Sequence, residues 1–215
     1  MRYTSVLFDL DGTLLDTLGD LTAAMNRTLT RHGLPERTRQ QMRAALGNGA
    51  RRLMELSVPA GTDSALFETL LTEYNADYAA HCRIETAPYP GVAALLRELH
   101  AQGRKLAIVS NKPDEAVRAL RAEFFADTVP IAVGEKQGIR RKPAPATLLA
   151  AMEQLGADPA GTVFVGDSEV DIATARAANL PCISVLWGFR DRDVLERAGA
   201  QQFAADIAQL QALLG

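Results

Sequence analysis

The stretch Val6-Leu7-Phe8-Asp9-Leu10-Asp11-Gly12-Thr13-Leu14-Leu15-Asp16-Thr17 carries an apolar run of strand length straight into two carboxylates, a glycine and a hydroxyl. Side chains at positions i and i+2 of a strand project to the same side, so Asp9 and Asp11 leave the sheet together at its carboxyl end. Two acids held that closely repel each other or share a cation. Magnesium suits a few carboxylates and still keeps positions open for water and a phosphate oxygen. The pattern therefore points to phosphoryl chemistry. A simpler reading is that Asp11-Gly12 is only a turn, since Asp-Gly is a common hairpin signal. A calcium loop fails on spacing: counted from Asp9, its fifth, sixth and twelfth positions are Thr13, Leu14 and Asp20, where an oxygen ligand, glycine and glutamate belong.

Outward from this stretch, residues 17–87 read as helical throughout. Leu18, Leu21, Met25 and Leu29 recur at helical spacing, with Gly33 and Pro35 as stops. Further helices are expected near Thr38 to Leu46, over Ala50 to Ser57, and from a cap at Thr62 or Asp63 through Leu66, Leu70, Tyr74 and Tyr78. At Pro88-Tyr89-Pro90-Gly91 strands and helices begin to alternate. Strands are expected at Lys105 to Val109, near Val129 to Val133, at Thr162 to Val165 and at Cys182 to Leu186, with helices between them and a last helix pair over Asp193 to Leu214. Such alternation predicts an α/β doubly wound parallel sheet, with ligands at the carboxyl ends of the strands. The expected division is a Rossmann-like core of residues 1–16 and 88–215, with a helical domain of residues 17–87 inserted after the first strand.

With 215 residues, 47% hydrophobic and 23% charged, the chain has room for a full core and a smaller second unit. A formal charge of -3 leaves no basic footprint for nucleic acid or an anionic membrane. The opening Met1-Arg2-Tyr3-Thr4 runs directly into the strand without the apolar region of a secretory signal, and no stretch reaches transmembrane length, so a cytoplasmic location is expected. Cys82 and Cys182 have neither scaffold density nor metal-ligand spacing and read as idle thiols. His32, His81 and His100 are scattered without a nucleophile partner.

Three other strand ends carry polar residues. The strand at Lys105 to Val109 ends in Ser110-Asn111, a hydroxyl and an N–H just ahead of a helix start. Lys142 precedes Pro143, which holds it in an extended turn where it can neutralise a nucleophile and a phosphoryl group. Arg140 and Arg141 read as solvated. Val163 to Val165 ends in Gly166-Asp167-Ser168, making Asp167 a candidate metal ligand, and Asp171 one helical turn later a second ligand or an acid supporting the first from behind.

Taken together, Asp9-Leu10-Asp11-Gly12-Thr13, Ser110-Asn111, Lys142-Pro143 and Gly166-Asp167-Ser168 with Asp171 closely resemble, in order, the four motifs of the haloacid dehalogenase superfamily. The resemblance covers the whole chain. It implies that Asp9 is the nucleophile that forms an aspartyl-phosphate and that Asp11 is the general acid and then the base. It further implies that Mg²⁺ is held by Asp9, Asp167 and the backbone carbonyl of Asp11. Thr13, Ser110 and Asn111 then hold phosphoryl oxygens, with Lys142 neutralising charge and residues 17–87 acting as a C1-type cap. Within the superfamily, Ala45-Leu46-Gly47-Asn48-Gly49-Ala50-Arg51-Arg52-Leu53, the Asp20-Leu21 entry to the cap and Trp187-Gly188-Phe189 look like those of phosphoglycolate phosphatases. Gly47, Asn48 and Gly49 would offer backbone N–H groups to a small carboxylate, with Arg51 or Arg52 adding charge. Ala146 departs from the pattern, standing where an acidic residue is common. The implied activity is Mg²⁺-dependent hydrolysis of a small phosphorylated metabolite, with 2-phosphoglycolate the substrate the resemblance suggests, by a monomer or homodimer. A β-phosphoglucomutase-type mutase, a nucleotidase or a pyrophosphatase would use the same core. A receiver-type signalling domain shares the aspartate, the lysine and the metal, but is about half this length and has no insert.

Overall fold

A computed structural model of the chain describes residues 3–215; Met1 and Arg2, the start of the opening segment in the sequence reading, lie outside them. The first strand, β1 (Ser5–Phe8), is buried at every position, as expected of a strand covered on both faces. It leads through a tight turn, in which the N–H groups of Thr13, Leu14 and Leu15 all point at the Leu10 carbonyl, into the two-residue strand β2 (Leu15–Asp16). Four helices follow: α1 (Leu18–Arg31), α2 (Arg39–Ala45), α3 (Gly49–Ser57) and α4 (Ser64–His81). The two-residue β3 (Ala87–Pro88) then pairs with β2. From there the chain alternates through α5 (Val92–Ala101), β4 (Lys105–Pro113), α6 (Asp114–Phe124), β5 (Ile131–Glu135), α7 (Ala146–Leu155), β6 (Thr162–Gly166), α8 (Glu169–Ala177) and β7 (Cys182–Val185). It ends in α9 (Arg192–Arg197), β8 (Gln202–Ala204) and α10 (Ile207–Leu214).

The chain divides into two compact units, one made of the residues up to Leu15 with Pro88–Gly215, the other of Asp16–Ala87. In the first, six strands form a sheet in the order β5-β4-β1-β6-β7-β8. Every pairing described is parallel. Successive strands step outward from β1 on one side through β4 and β5, then on the other through β6, β7 and β8. That reversal of direction makes the carboxyl end of β1 the topological switch point, where open α/β sheets bind their ligands. Phe8 is level with Ile108 of β4 and Val165 of β6, so all three strands deliver their next residues to one edge. Leu7, Ala107, Val109 and Phe164 pack on one face against Leu148, Ala151 and Met152 of α7 and Ala175 of α8.

In the second unit α1 buries Leu21, Met25 and Leu29 and α4 buries Leu70, Tyr74 and Tyr78. Asp63 caps α4 by accepting from the N–H groups of Ala65 and Leu66, and Thr38 with Gln41 closes a capping box on α2.

Four expectations need correction. The last helix pair is interrupted by β8, whose three residues are too few to show an alternating pattern. The strand expected near Val129 begins at Ile131, because the Val129 N–H is spent on the Phe125 carbonyl in a turn and Pro130 has none to give. The strand expected to end at Val109 stays extended to Pro113, so Ser110 and Asn111 lie within β4, while the helix expected after Pro113 does begin at Asp114. The helical insert is bordered by β2 and β3, each too short to register as a strand.

Candidate active site

The carboxyl edge of the sheet gathers charge that the core cannot neutralise alone. Asp9, the residue after β1, donates its N–H to the Val165 carbonyl, which ties it to the end of β6. One of its carboxylate oxygens accepts from the Leu10 N–H at 2.7 Å and lies 2.8 Å from Lys142 Nζ. The same ammonium donates to Asp171 at 2.7 Å. The second oxygen of Asp171 accepts from the Ser168 N–H and, at 2.6 Å, from the Ser168 hydroxyl. Both Asp171 oxygens are therefore committed, and the residue fixes Lys142 from behind. Asn111 Nδ2 donates to the Lys142 carbonyl at 2.9 Å, binding the end of β4 to the same loop.

Asp167, the residue after β6, is buried between glycines. Its carboxylate accepts from the Phe189 N–H at 2.7 Å and from the Thr13 hydroxyl at 3.3 Å. A methyl group at Gly12 or Gly188 would collide with it, and Gly12 also has φ +83°, so glycine is required there on both counts. Trp187 Nε1 donates to the Thr13 carbonyl, and Arg190 pairs with Glu169 at 2.7 Å, so residues 187–190 brace the loop after β1 and the start of α8 together.

Ligand atoms of Asp9, Asp167 and Asp171 all lie within 4.8 Å of one another. Three carboxylates meet one ammonium, a balance of two negative charges. Burial, with Asp171 beside it, raises the Asp9 carboxyl well above its ordinary range even though Lys142 opposes the shift. Burial and Asp171 push Asp167 up to about 7. Burial works against the Lys142 ammonium, but Asp171 and Asp9 outweigh it and raise its pKa. Acids that resist ionising for lack of positive charge are the donor set a hard divalent cation suits, so the residues present fit Mg²⁺.

The structure brings Asp9, Thr13, Lys142, Asp167 and Asp171 into one network, with Asn111 attached through Lys142. Ser110 is buried and its hydroxyl accepts the Lys112 N–H at 3.2 Å. The Asp11 carboxylate stands outside the acid cluster, 3.1 Å from Lys112 Nζ. Gly47, Asn48, Gly49 and Arg51 belong to the other unit. There Asn48 occupies the N-cap of α3 without a side-chain capping bond, and Gly47 and Gly49 take φ of +107° and +78°. Arg51, expected to add charge at that turn, instead makes a bidentate pair with Glu68 at 2.8 Å, and Arg52 pairs with Glu55. Arg141 pairs with Glu135. Burial raises the Cys182 thiol, in keeping with an inert residue.

Sequence reasoning missed Lys112 and the bracing roles of Gly188, Phe189 and Arg190. Lys112 was within reach: it follows Ser110 by two in an extended stretch, which places the two on the same side. The Phe189 donor is a main-chain N–H and leaves no side-chain signal.

The haloacid dehalogenase-like hydrolase profile matches residues 6–185, from β1 to the end of β7. The chain belongs to this family. Among its relatives is a phosphoglycolate phosphatase of Xanthomonas campestris pv. campestris, 35% identical over 192 residues, spanning 88% of this chain and 86% of that protein. An N-acetylmuramic acid 6-phosphate phosphatase of Pseudomonas aeruginosa is 34% identical over 190 residues, 88% of this chain and 84% of the relative. The crystal structure of a Lactobacillus delbrueckii subsp. bulgaricus protein, provisionally named a phosphoglycolate phosphatase, superposes with a TM-score of 0.94 at 35% identity, covering 100% and 99% of the two chains. This haloacid dehalogenase-like hydrolase is thus a phosphatase, and no helix among its described residues is long and apolar enough to cross a membrane.

Proposed function

We propose that the protein hydrolyses a small phosphorylated carboxylic acid, 2-phosphoglycolate in the first instance, through an aspartyl-phosphate on Asp9. The observation that carries this reading is Asp9 itself: a buried carboxylate at the switch point, held by the Leu10 N–H and Lys142 and set in a cluster short of positive charge. Asp9 attacks phosphorus while Asp11 gives its proton to the departing oxygen; Asp11 then takes a proton from the water that releases phosphate. Lys142 offsets charge on the nucleophile and the phosphoryl group, and Thr13, Ser110 and Asn111 are assigned to the phosphoryl oxygens. Asp9, Asp167 and the Asp11 carbonyl would hold Mg²⁺, which when bound supplies the missing positive charge at the transferring group. Positioning and charge neutralisation of this kind supply most of the catalysis in phosphoryl transfer.

Asp16–Ala87 is assigned the role of a cap, and the N–H groups of the Gly47-Asn48-Gly49 turn the choice of a carboxylated substrate. With its guanidinium on Glu68, Arg51 has less charge to add than a free arginine would. Support for an acidic substrate comes from the relatives, whose names specify phosphoglycolate and N-acetylmuramic acid 6-phosphate.

The test is phosphate release from 2-phosphoglycolate, N-acetylmuramic acid 6-phosphate, hexose phosphates and nucleotides, with Mg²⁺ and with chelator. Release from the phosphorylated acids, lost in chelator and lowered at least about a thousandfold in Asp9→Asn, is the expected result. Substantial turnover by Asp9→Asn would contradict the role of Asp9, and preference for nucleotides would contradict the substrate class.

A further inference from the structure

The end of β4 carries a second buried ammonium that the reaction outlined above leaves without a task. Lys112 Nζ lies 3.1 Å from Asp11 Oδ1; the lysine side chain is only 4% exposed, against 20% for the aspartate. That Asp11 oxygen is buried and accepts no hydrogen bond among the described residues, so the Lys112 charge is its restraint. The lysine is itself held, its N–H donating to the Ser110 hydroxyl within β4. Burial of the side chain confines its head group beside Asp11. The loop after β1 thus sends its two acids to different partners: Asp9 to Lys142 and the acid cluster, Asp11 to Lys112 outside it.

We infer that Lys112 is a positioning residue, its ammonium holding the Asp11 carboxyl group apart from the three-acid cluster, at the place from which a proton passes to the departing oxygen. This rests on the acid–base role proposed for Asp11. In that step the bond from the Asp9 oxygen to phosphorus forms and the ester bond from phosphorus to oxygen breaks. The Asp11 proton ends on the freed oxygen, which leaves as a neutral hydroxyl.

A group that serves the leaving oxygen matters most when that oxygen is a poor leaving group. The ratio of kcat/KM for 2-phosphoglycolate, or the alkyl phosphate of the panel that is turned over fastest, to kcat/KM for p-nitrophenyl phosphate isolates this effect. kcat/KM covers only the steps through cleavage of the ester bond, and a p-nitrophenolate needs little help from an acid. Unfolded enzyme lowers both values equally and cancels, so a Lys112→Met variant that folds poorly still reports. Asp11→Asn is expected to lower the ratio by about tenfold to a hundredfold, within the range of a general acid. Lys112→Met is expected to lower it about tenfold in the same direction, and adding it to Asp11→Asn should lower it no further. If Asp11→Asn lowers the ratio and Lys112→Met does not, Lys112 does not position Asp11. If Asp11→Asn itself leaves the ratio unmoved, the acid role of Asp11 fails and the inference falls with it.

Discussion

Both units of this phosphatase bury carboxylates, and they treat them in opposite ways. In Asp16–Ala87, Asp77 accepts from Arg27 at 2.6 and 2.9 Å and from Arg31 at 2.9 Å, with His81 3.5 Å away. Asp20 accepts from three successive N–H groups, those of Ile84, Glu85 and Thr86. Burial alone would raise the Asp77 carboxyl, but the two arginines overcome it and hold the group below its ordinary range. At the sheet edge the balance is reversed: Asp9, Asp167 and Asp171 share one lysine, and both Asp9 and Asp167 are raised. A buried acid supplied with donors is a structural joint. A cluster left short of them spends stability to hold charge where a cation and a phosphoryl group can use it.

Replacing an acid by its amide in each region should therefore give stability changes of opposite sign. Asp77→Asn loses charge-assisted bonds to two arginines and is expected to cost about 2 to 3 kcal/mol in thermal or denaturant unfolding, while kcat stays within about twofold of wild type. An unchanged melting temperature would remove the joint from the comparison. Asp167→Asn removes a charge the site cannot balance. In chelator near pH 8 it should raise stability by about 1 kcal/mol, or about 2 to 4 °C, while abolishing activity. A destabilised Asp167→Asn protein would show that the cluster is not short of positive charge.

The same contrast has a pH signature. The folded protein keeps a proton on Asp167 up to about pH 7, whereas the unfolded chain releases it near pH 4. Across that window the folded state binds more protons than the unfolded one, so this group's contribution to stability falls as pH rises. Asp77, with its depressed value, contributes stability that is present above the ordinary carboxylate pKa and lost as pH falls through the folded one. Melting curves in chelator from pH 4 to 8 should lose part of their decline in Asp167→Asn and keep it in Asp77→Asn; a decline unchanged in Asp167→Asn would contradict the assignment.

The strand ends were legible because each pairs an apolar run with a polar residue whose place in a parallel sheet follows from alternation alone. Asp9, Ser110 and Asp167 fall at one edge on the sequence pattern alone. What surrounds them was not legible. Phe189 contributes a main-chain N–H, Gly188 contributes the lack of a side chain, and Lys112 was passed over because the strand was expected to end at Val109, whereas β4 stays extended to Pro113. β8 was lost for a related reason, since a three-residue edge strand has no period to detect. In the inserted unit the turn at Gly47 to Gly49 was placed from its glycines, but the partner of Arg51 was not, because a lone arginine does not say which of several glutamates it will meet.

A divalent cation is expected to complete the acid cluster of Asp9, Asp167 and Asp171 and no other buried carboxylate among the described residues. The direct measurement is the shift in melting temperature on adding Mg²⁺ at pH 8 to chelator-treated wild type, Asp77→Asn and Asp167→Asn. Binding to the folded state alone raises stability with free ligand concentration, so wild type and Asp77→Asn should rise by the same several degrees from their different starting points, and Asp167→Asn should not respond. A shift in Asp167→Asn equal to that of wild type would contradict the claim.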